Sequence, residues 1–366
     1  MLKKNILFLL PIISLLIEQP LVHPFSSSDP HLVSSFKRNE LFDSDEVLEI
    51  TLSGQLKEVL NNRTGEPKDY QAALSYASQE GKLVSIPIVL STRGHFRRIK
   101  ANCTYPPLLI RFLDKGKKEN TLFEKQKKLK LVMPCRGDDY IVREWLAYRA
   151  YQFVTPYSFK ARLVKVSLMD SRSNKAPTPF FGILLEEEDQ VAQRNNMISV
   201  EKKLHPTQTQ VPHFLKVAVF QYLIGNTDWS VQYLQNIKLL AKDSTATPIV
   251  VPYDFDHAGI ISAPYAKPAP ELKLNSVKER RFRGYCENNL KLYEAVVDTF
   301  KNLKTSFYEL YKNDPYIDEK YSKATLKFLD EFYEVLDDPK AWKKEFLYPC
   351  DKNGTGNVVI KGLRKD

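Results

Sequence analysis

Asp228 in the tetrapeptide N-T-D-W (Asn226 to Trp229), Asn236, and the carboxylates Asp254 and Asp256 of P-Y-D-F-D-H (Pro252 to His257) form the densest polar constellation of the chain. Their order says more than any one of them. An acid stands just after an apolar run, an amide at the start of a hairpin pattern, and an acid just after that hairpin. Phosphoryl transfer needs these residue types: a carboxylate to orient the attacking hydroxyl, and hard oxygen donors to hold a divalent cation against phosphates. Asp228 is the candidate base, and Asn236 with Asp254 are the candidate metal ligands, with Asp256 as the alternative to Asp254. Such a layout also calls for an upstream cation on a strand. Lys130 lies in K-L-K-L-V, and Glu144, in the following V-R-E-W-L-A-Y-R, is expected to orient its ammonium against the phosphates. Lys128, on the same strand face as Lys130, is the alternative cation. Singly, each residue has an ordinary role: Asp228 capping a turn, Asn236 satisfying loop backbone, Asp254 and Asp256 holding a hairpin end.

A rival chemistry uses Asp254, Asp256 and His257 as a metal cluster for hydrolysis. Against it, two acids two positions apart with one residue between them are read as pointing to opposite faces of an extended segment. Other chemistries are disfavoured by missing motifs. With 13 glycines the chain has no G-x-G-x-x-G and no G-x-x-x-x-G-K-[ST], and neither H-E-x-x-H nor G-x-S-x-G occurs. Dinucleotide oxidoreductases, P-loop enzymes, zincins and ordinary serine hydrolases are therefore not expected.

The elements that must position these residues are legible as patterns. Val47 to Leu52, Leu83 to Leu90, Leu108 to Leu113 and Leu129 to Met133 are short apolar or alternating runs bounded by Gly, Pro or charge, as strands are. Asp139 to Val154 spaces Ile141, Trp145, Tyr148 and Tyr151 three or four apart, which predicts a helix. Phe159 to Leu168 and Phe180 to Leu185 return to strand character. His213 to Ile224 is a strongly apolar helix, with Gly225 at a C-cap position. Ile237 to Leu240 and Ile249 to Val251 predict a hairpin, and Leu290 to Tyr311 and Asp318 to Leu336 two long helices. Strands first and helices last predict an α+β chain of two segregated lobes.

The composition, 43% hydrophobic and 27% charged over 366 residues, is that of a globular chain with more than one small domain's core. Its net charge of +10 is spread among acids, and no aromatic-interleaved basic repeat points to nucleic acid. Lys3 and Lys4 precede an apolar run from Ile6 to Ile17, the shape of a secretory signal, assigned to residues 1–24. A buried N-terminal helix is the alternative, and a membrane contact follows only if the segment stays uncleaved. Export leads to a periplasmic, envelope or extracellular location. There an even set of four cysteines, Cys103, Cys135, Cys286 and Cys350, permits two disulfides in three pairings. Cys103 with Cys135 is the preferred pair, since both flank predicted strands, and free thiols are the alternative. Nothing in the sequence sets an oligomeric state.

The segments L-S-T-R-G around Arg93, K-L-K-L-V, V-R-E-W-L-A-Y-R, N-T-D-W and P-Y-D-F-D, spread from about Val84 to Gly284, resemble the CotH-type spore-coat kinases and related exported bacterial proteins. The resemblance implies a two-lobed atypical protein-kinase-like fold, with a sheet-rich N-terminal lobe over residues 37–190 and a helical C-terminal lobe over 191–366. It also implies ATP with Mg or Mn and a protein substrate phosphorylated on hydroxyls. By that likeness Lys130 matches the phosphate-binding lysine, Glu144 its helix partner, Asp228 the base, and Asn236 with Asp254 the metal ligands. A kinase-like binding or scaffold protein without catalysis is the other reading.

Overall fold

The computed structural model describes residues 40–113, 116–355 and 358. The signal-peptide reading of residues 1–24 falls outside them. In chain order the elements are β1 (Leu48–Gly54), α1 (Leu56–Asn61), β2 (Tyr70–Ala77), β3 (Leu83–Thr92), β4 (Leu108–Phe112), β5 (Lys128–Val132), α2 (Asp139–Val154), β6 (Ala161–Asp170), β7 (Phe180–Leu185), α3 (Glu188–Arg194), β8 (Ile198–Val200), α4 (Val211–Ile224), β9 (Ile237–Ala241) and β10 (Ile249–Pro252). Four helices follow: α5 (Leu290–Asn302), α6 (Lys304–Lys312), α7 (Glu319–Asp337) and α8 (Pro339–Phe346). Among the described residues no helix is long and apolar enough to cross a membrane.

Seven strands close into a barrel in the order β1-β2-β3-β4-β5-β7-β6. Every neighbouring pair is antiparallel except β1 with β6, which run parallel from Leu48↔Val164 to Gly54↔Asp170. The pleat sorts side chains by parity. Leu131, Val164, Val166 and Leu184 turn into one core with Leu52, Leu74, Ile86, Ile88, Leu108 and Ile110. Val132, Leu163, Ile183 and Leu185 turn outward into a second core with α2 and the helices.

This overturns the two-lobed kinase-like arrangement expected from the sequence. The strands assigned to a sheet-rich lobe close on themselves, because β1 finds its second partner in β6 and no open edge remains in that sheet. The described residues form one compact unit. Helix α2 is buried on nearly every side and lies against β6 and β7 of the barrel on one flank and against α4 and α6 on the other, its Trp145 indole donating to the carbonyl of Ala161 at 3.1 Å.

Beyond the barrel, β10, β9 and β8 make a three-stranded sheet in that order, β9 and β10 pairing as a hairpin. Helix α4, apolar all round, fills the space between this sheet and α5. It ends at Gly225, whose φ of +67° continues the chain through a left-handed cap; a Cβ there would meet the Val277 carbonyl at 3.1 Å. The long helix predicted over Leu290 to Tyr311 is two helices, joined at Leu303. Its amide donates to the carbonyls of both Thr299 and Phe300, while Phe300 and Phe307 stack at 6.2 Å.

Candidate functional site

The turn after α4 sets the first part of the site. The Asn226 side chain accepts from the Asp228 amide at 3.0 Å, shaping N-T-D-W into a tight turn. A short loop follows in which Ser230 and Gln235 exchange both backbone hydrogen bonds, bringing Asn236 back beside Asp228. The Asn236 amide nitrogen donates to the Asp228 carbonyl at 2.7 Å and to its carboxylate at 3.0 Å, and the Gln235 amide donates to the other carboxylate oxygen. Asn236 is held at φ +52°, a conformation that asparagine tolerates and that marks a locally overdetermined backbone. Its amide nitrogen being engaged, its carbonyl oxygen is the end available to a cation.

The second part lies past β10. Asp254 adopts φ +60°, which breaks the extended alternation after Pro252. Asp254 and Asp256 therefore do not point to opposite faces, as the sequence reading had them. Both approach the guanidinium of Arg97: Asp256 at 2.8 Å and Asp254 at 4.0 Å. The Tyr148 hydroxyl on α2 accepts from the Asp254 amide at 2.8 Å and fixes the bend. Close by, Gly259 passes so near Val277 that a Cβ would meet that carbonyl at 2.3 Å, so the return of the chain requires glycine there.

Glu144 is where the sequence reading and the structure part. Its ion pair is with Arg97, at 2.9 Å, and not with Lys130. Arg97 is 8% exposed and Glu144 1%. The arginine reaches in from the β3–β4 connection, a segment joined by the Cys103–Cys135 disulfide to the chain just before α2. Cys286 is joined to Cys350. Lys130 stands 5.3 Å over the Tyr253 ring, and Lys128 pairs with Glu187 at 3.0 Å. The charge of Arg93 acts on both Lys130 and Asp254.

Charge is unevenly balanced here. One guanidinium faces Glu144, Asp254 and Asp256. Burial drives the Glu144 carboxyl above its ordinary range, Arg97 opposing and the two aspartates adding to the rise. Asp256 is withdrawn from water too, but Arg97, His257 and the Tyr265 hydroxyl more than offset this and hold it low. Asp254 is raised by its low-dielectric walls and by Asp256, although its side chain keeps 42% of its surface open on one side. Asp228 is raised chiefly by burial. For Lys130, burial and then Arg93 bring the amine down to about 8.

The donor set suits a divalent cation bound together with phosphates. Asp254 is open to solvent, the Asn236 carbonyl is available, and Glu144 Oε1 is buried without a hydrogen-bond partner. Among the described residues no three acidic, histidine or cysteine side chains stand together as a cage. Magnesium is commonly held without one, by one or two carboxylates with substrate oxygens completing the shell. Asp256 is engaged by Arg97 and Tyr265, which removes it from the cluster that the hydrolase reading requires.

Sequence reasoning missed Arg97, Tyr148, Gln235 and Tyr265. Arg97 follows the R-G pair of L-S-T-R-G by three residues, and that proximity was its only signal.

The chain matches no protein-family model and no curated protein. Among solved structures it is similar to the Helicobacter pylori proinflammatory kinase CtkA, at 11% identity and a TM-score of 0.38, over 65% of this chain and 90% of that one. That distant likeness reaches a kinase and not the spore-coat family, and the functional reading rests on the site alone.

Proposed function

We propose that this protein binds ATP with a divalent cation and transfers the terminal phosphoryl group to a protein hydroxyl. The observation that supports the reading is the pairing of Asn236 with the Asp228 carboxylate, near enough to Asp254 for the charges of Asp228 and Arg93 to act on it, while Arg93 also acts on Lys130. Bound there, the cation would supply the positive charge that draws phosphate oxygens to an acidic site. Lys130 and Arg93 bind the phosphates from the barrel side. Asn236 and Gln235 orient the Asp228 carboxylate, and its raised pKa makes it a better acceptor of the hydroxyl proton than an ordinary aspartate. Export is supported by the basic pair before the apolar run and by the two disulfides. Cell fractionation checks it: full-length protein recovered in the cytoplasm would count against it.

The test compares the parent with Asp228→Ala and Asp254→Ala by calorimetric ATP binding and by phosphate transfer. Losing Asp254 should abolish metal-dependent binding. Losing Asp228 should preserve binding and lower transfer about a hundredfold or more. A parent that binds no ATP with either Mg or Mn sinks the proposal.

One observation favours a second reading, a binding protein without transfer: Arg97 takes the carboxylate that a phosphate-binding lysine would use. On that reading ATP with metal gives no rise in melting temperature.

A further inference from the structure

Residues 281–289 belong to no helix or strand, yet they carry a side chain that grips the Asp228 turn. The Arg283 guanidinium donates to the Thr227 carbonyl at 2.6 Å and to the Trp229 carbonyl at 3.1 Å, one acceptor on each side of Asp228. A single cation holding both flanking carbonyls fixes the course of the chain between them. The same segment is tied to the end of α8 and the residues after it. Cys286 is linked to Cys350 across 64 residues, the Arg281 guanidinium lies 4.6 Å over the Tyr348 ring and donates to its hydroxyl at 3.1 Å, and the Phe282 ring packs 4.9 Å from that of Phe346. The two disulfides differ in what can reach them. Cys286 is exposed, whereas Cys103 and Cys135 keep only 1% and 3% of their surface. Thiol–disulfide exchange begins with a thiolate touching a sulfur, so access selects the Cys286 link.

We infer that Arg283 is a positioning residue for Asp228 and that the Cys286–Cys350 disulfide keeps it in place, so that a dithiol reductant slows transfer by opening this one link. A thiolate of the reductant attacks the Cys286 sulfur, forming a mixed disulfide and releasing Cys350 as a thiolate that takes up a proton. The reductant's second thiol then closes its own disulfide and releases Cys286 as a thiol, so that two electrons and two protons have passed to the protein. With the link open, residues 281–289 depend on side-chain contacts and sample open states more often. Each departure of Arg283 frees both carbonyls beside Asp228. The inference rests on the phosphotransfer reading for its effect on rate and not for the clamp itself.

The experiment treats the full chain with increasing dithiothreitol, maps the freed cysteines by alkylation and mass spectrometry, and follows hydrogen exchange over residues 226–236 beside phosphate transfer and Mg·ATP affinity. Cys286 and Cys350 should label before Cys103 and Cys135. Exchange over 226–236 should then quicken about tenfold while that of β3 is unchanged, and transfer should slow about tenfold while Mg·ATP affinity is kept. Cys286→Ser combined with Cys350→Ser should match the reduced protein. Arg283→Ala should reproduce both effects with the disulfide intact, and reduction should then add less than about twofold, because both act through one contact. Arg283→Lys, which keeps a cation and a donor, should retain more of the rate. Parental exchange and transfer once Cys286 and Cys350 are labelled, or reduction that slows Arg283→Ala as much as the parent, overturns the inference. Reduction-sensitive exchange over 226–236 in a protein that transfers no phosphate would sustain the clamp and overturn phosphotransfer. Transfer indifferent to reduction would do the reverse.

Discussion

The inside of the barrel and the wall outside it bury their residues to opposite ends. Inside, Leu52, Leu74, Ile86, Ile88 and Leu90 are fully buried with no ionisable group among them. Outside, in the space bounded by α2, the β3–β4 connection and the segment after β10, a comparable depth of burial encloses Arg97, Glu144 and Asp256. Apolar closure can be satisfied by many side chains of suitable volume. A buried charge cluster is satisfied only by its complete set of partners, so a single loss there leaves an uncompensated ion. The difference teaches where the molecule tolerates change and where it has been committed to chemistry.

Arg97→Met tests this most severely. With Glu144 and Asp256 left unpaired, stability should fall by about 3–5 kcal/mol, measured by urea denaturation. A loss below about 1 kcal/mol would mean that water or rearrangement satisfies the acids and that the contrast is false. Ile88→Ala, in the barrel, should cost about 3 kcal/mol through its cavity while leaving Mg·ATP affinity unchanged. A change in affinity would show the two regions to be coupled.

The pH dependence sharpens the site side of the comparison. The Lys130 ammonium is present below about 8 and lost above it. Mg·ATP affinity should therefore fall as pH rises from about 7 to about 9, whereas Lys130→Arg should flatten the profile. For folding the sign is opposite. A lowered lysine pKa means that the folded chain releases its proton before the unfolded chain does, so this residue adds stability as pH rises from about 8 towards its ordinary 10.5. An unchanged profile in Lys130→Arg would remove Lys130 from the phosphate site. The smallest effect is expected of Glu144→Gln. Burial already disfavours the carboxylate, and the amide keeps an oxygen for Arg97, so the cost should stay within about 1 kcal/mol. A loss as large as that of Arg97→Met would show the charge itself to be required.

Legibility from the sequence followed the range of the interaction. Helix Asp139–Val154 and strand Phe180–Leu185 were readable because periodicity and flanking turns are local. Strand Tyr70–Ala77 was not: its alanines have little strand preference, and it exists because β1 and β3 pair with it on both sides. The same holds at the site. Asp228 and Asn236 stand in one turn, and their order was informative. Arg97 looks in sequence like any surface arginine, and its partners Glu144 and Asp256 lie 47 and 159 residues away. The barrel closure, which replaced the expected two lobes, is likewise a pairing that no local pattern announces.

That closure also bears on how the chain folds. The Lys57 amide donates to Asp170 across 113 residues, next to the ladder that joins β1 to β6. Until β6 exists, β1 has β2 as its only sheet neighbour, and closing so long a loop carries an entropic cost that local contacts do not offset. The Cys103–Cys135 link spans 32 residues inside that loop and shortens it once formed. Oxidation early in folding would thus lower the entropic cost of joining β1 to β6, which links the order of thiol chemistry to that of strand docking.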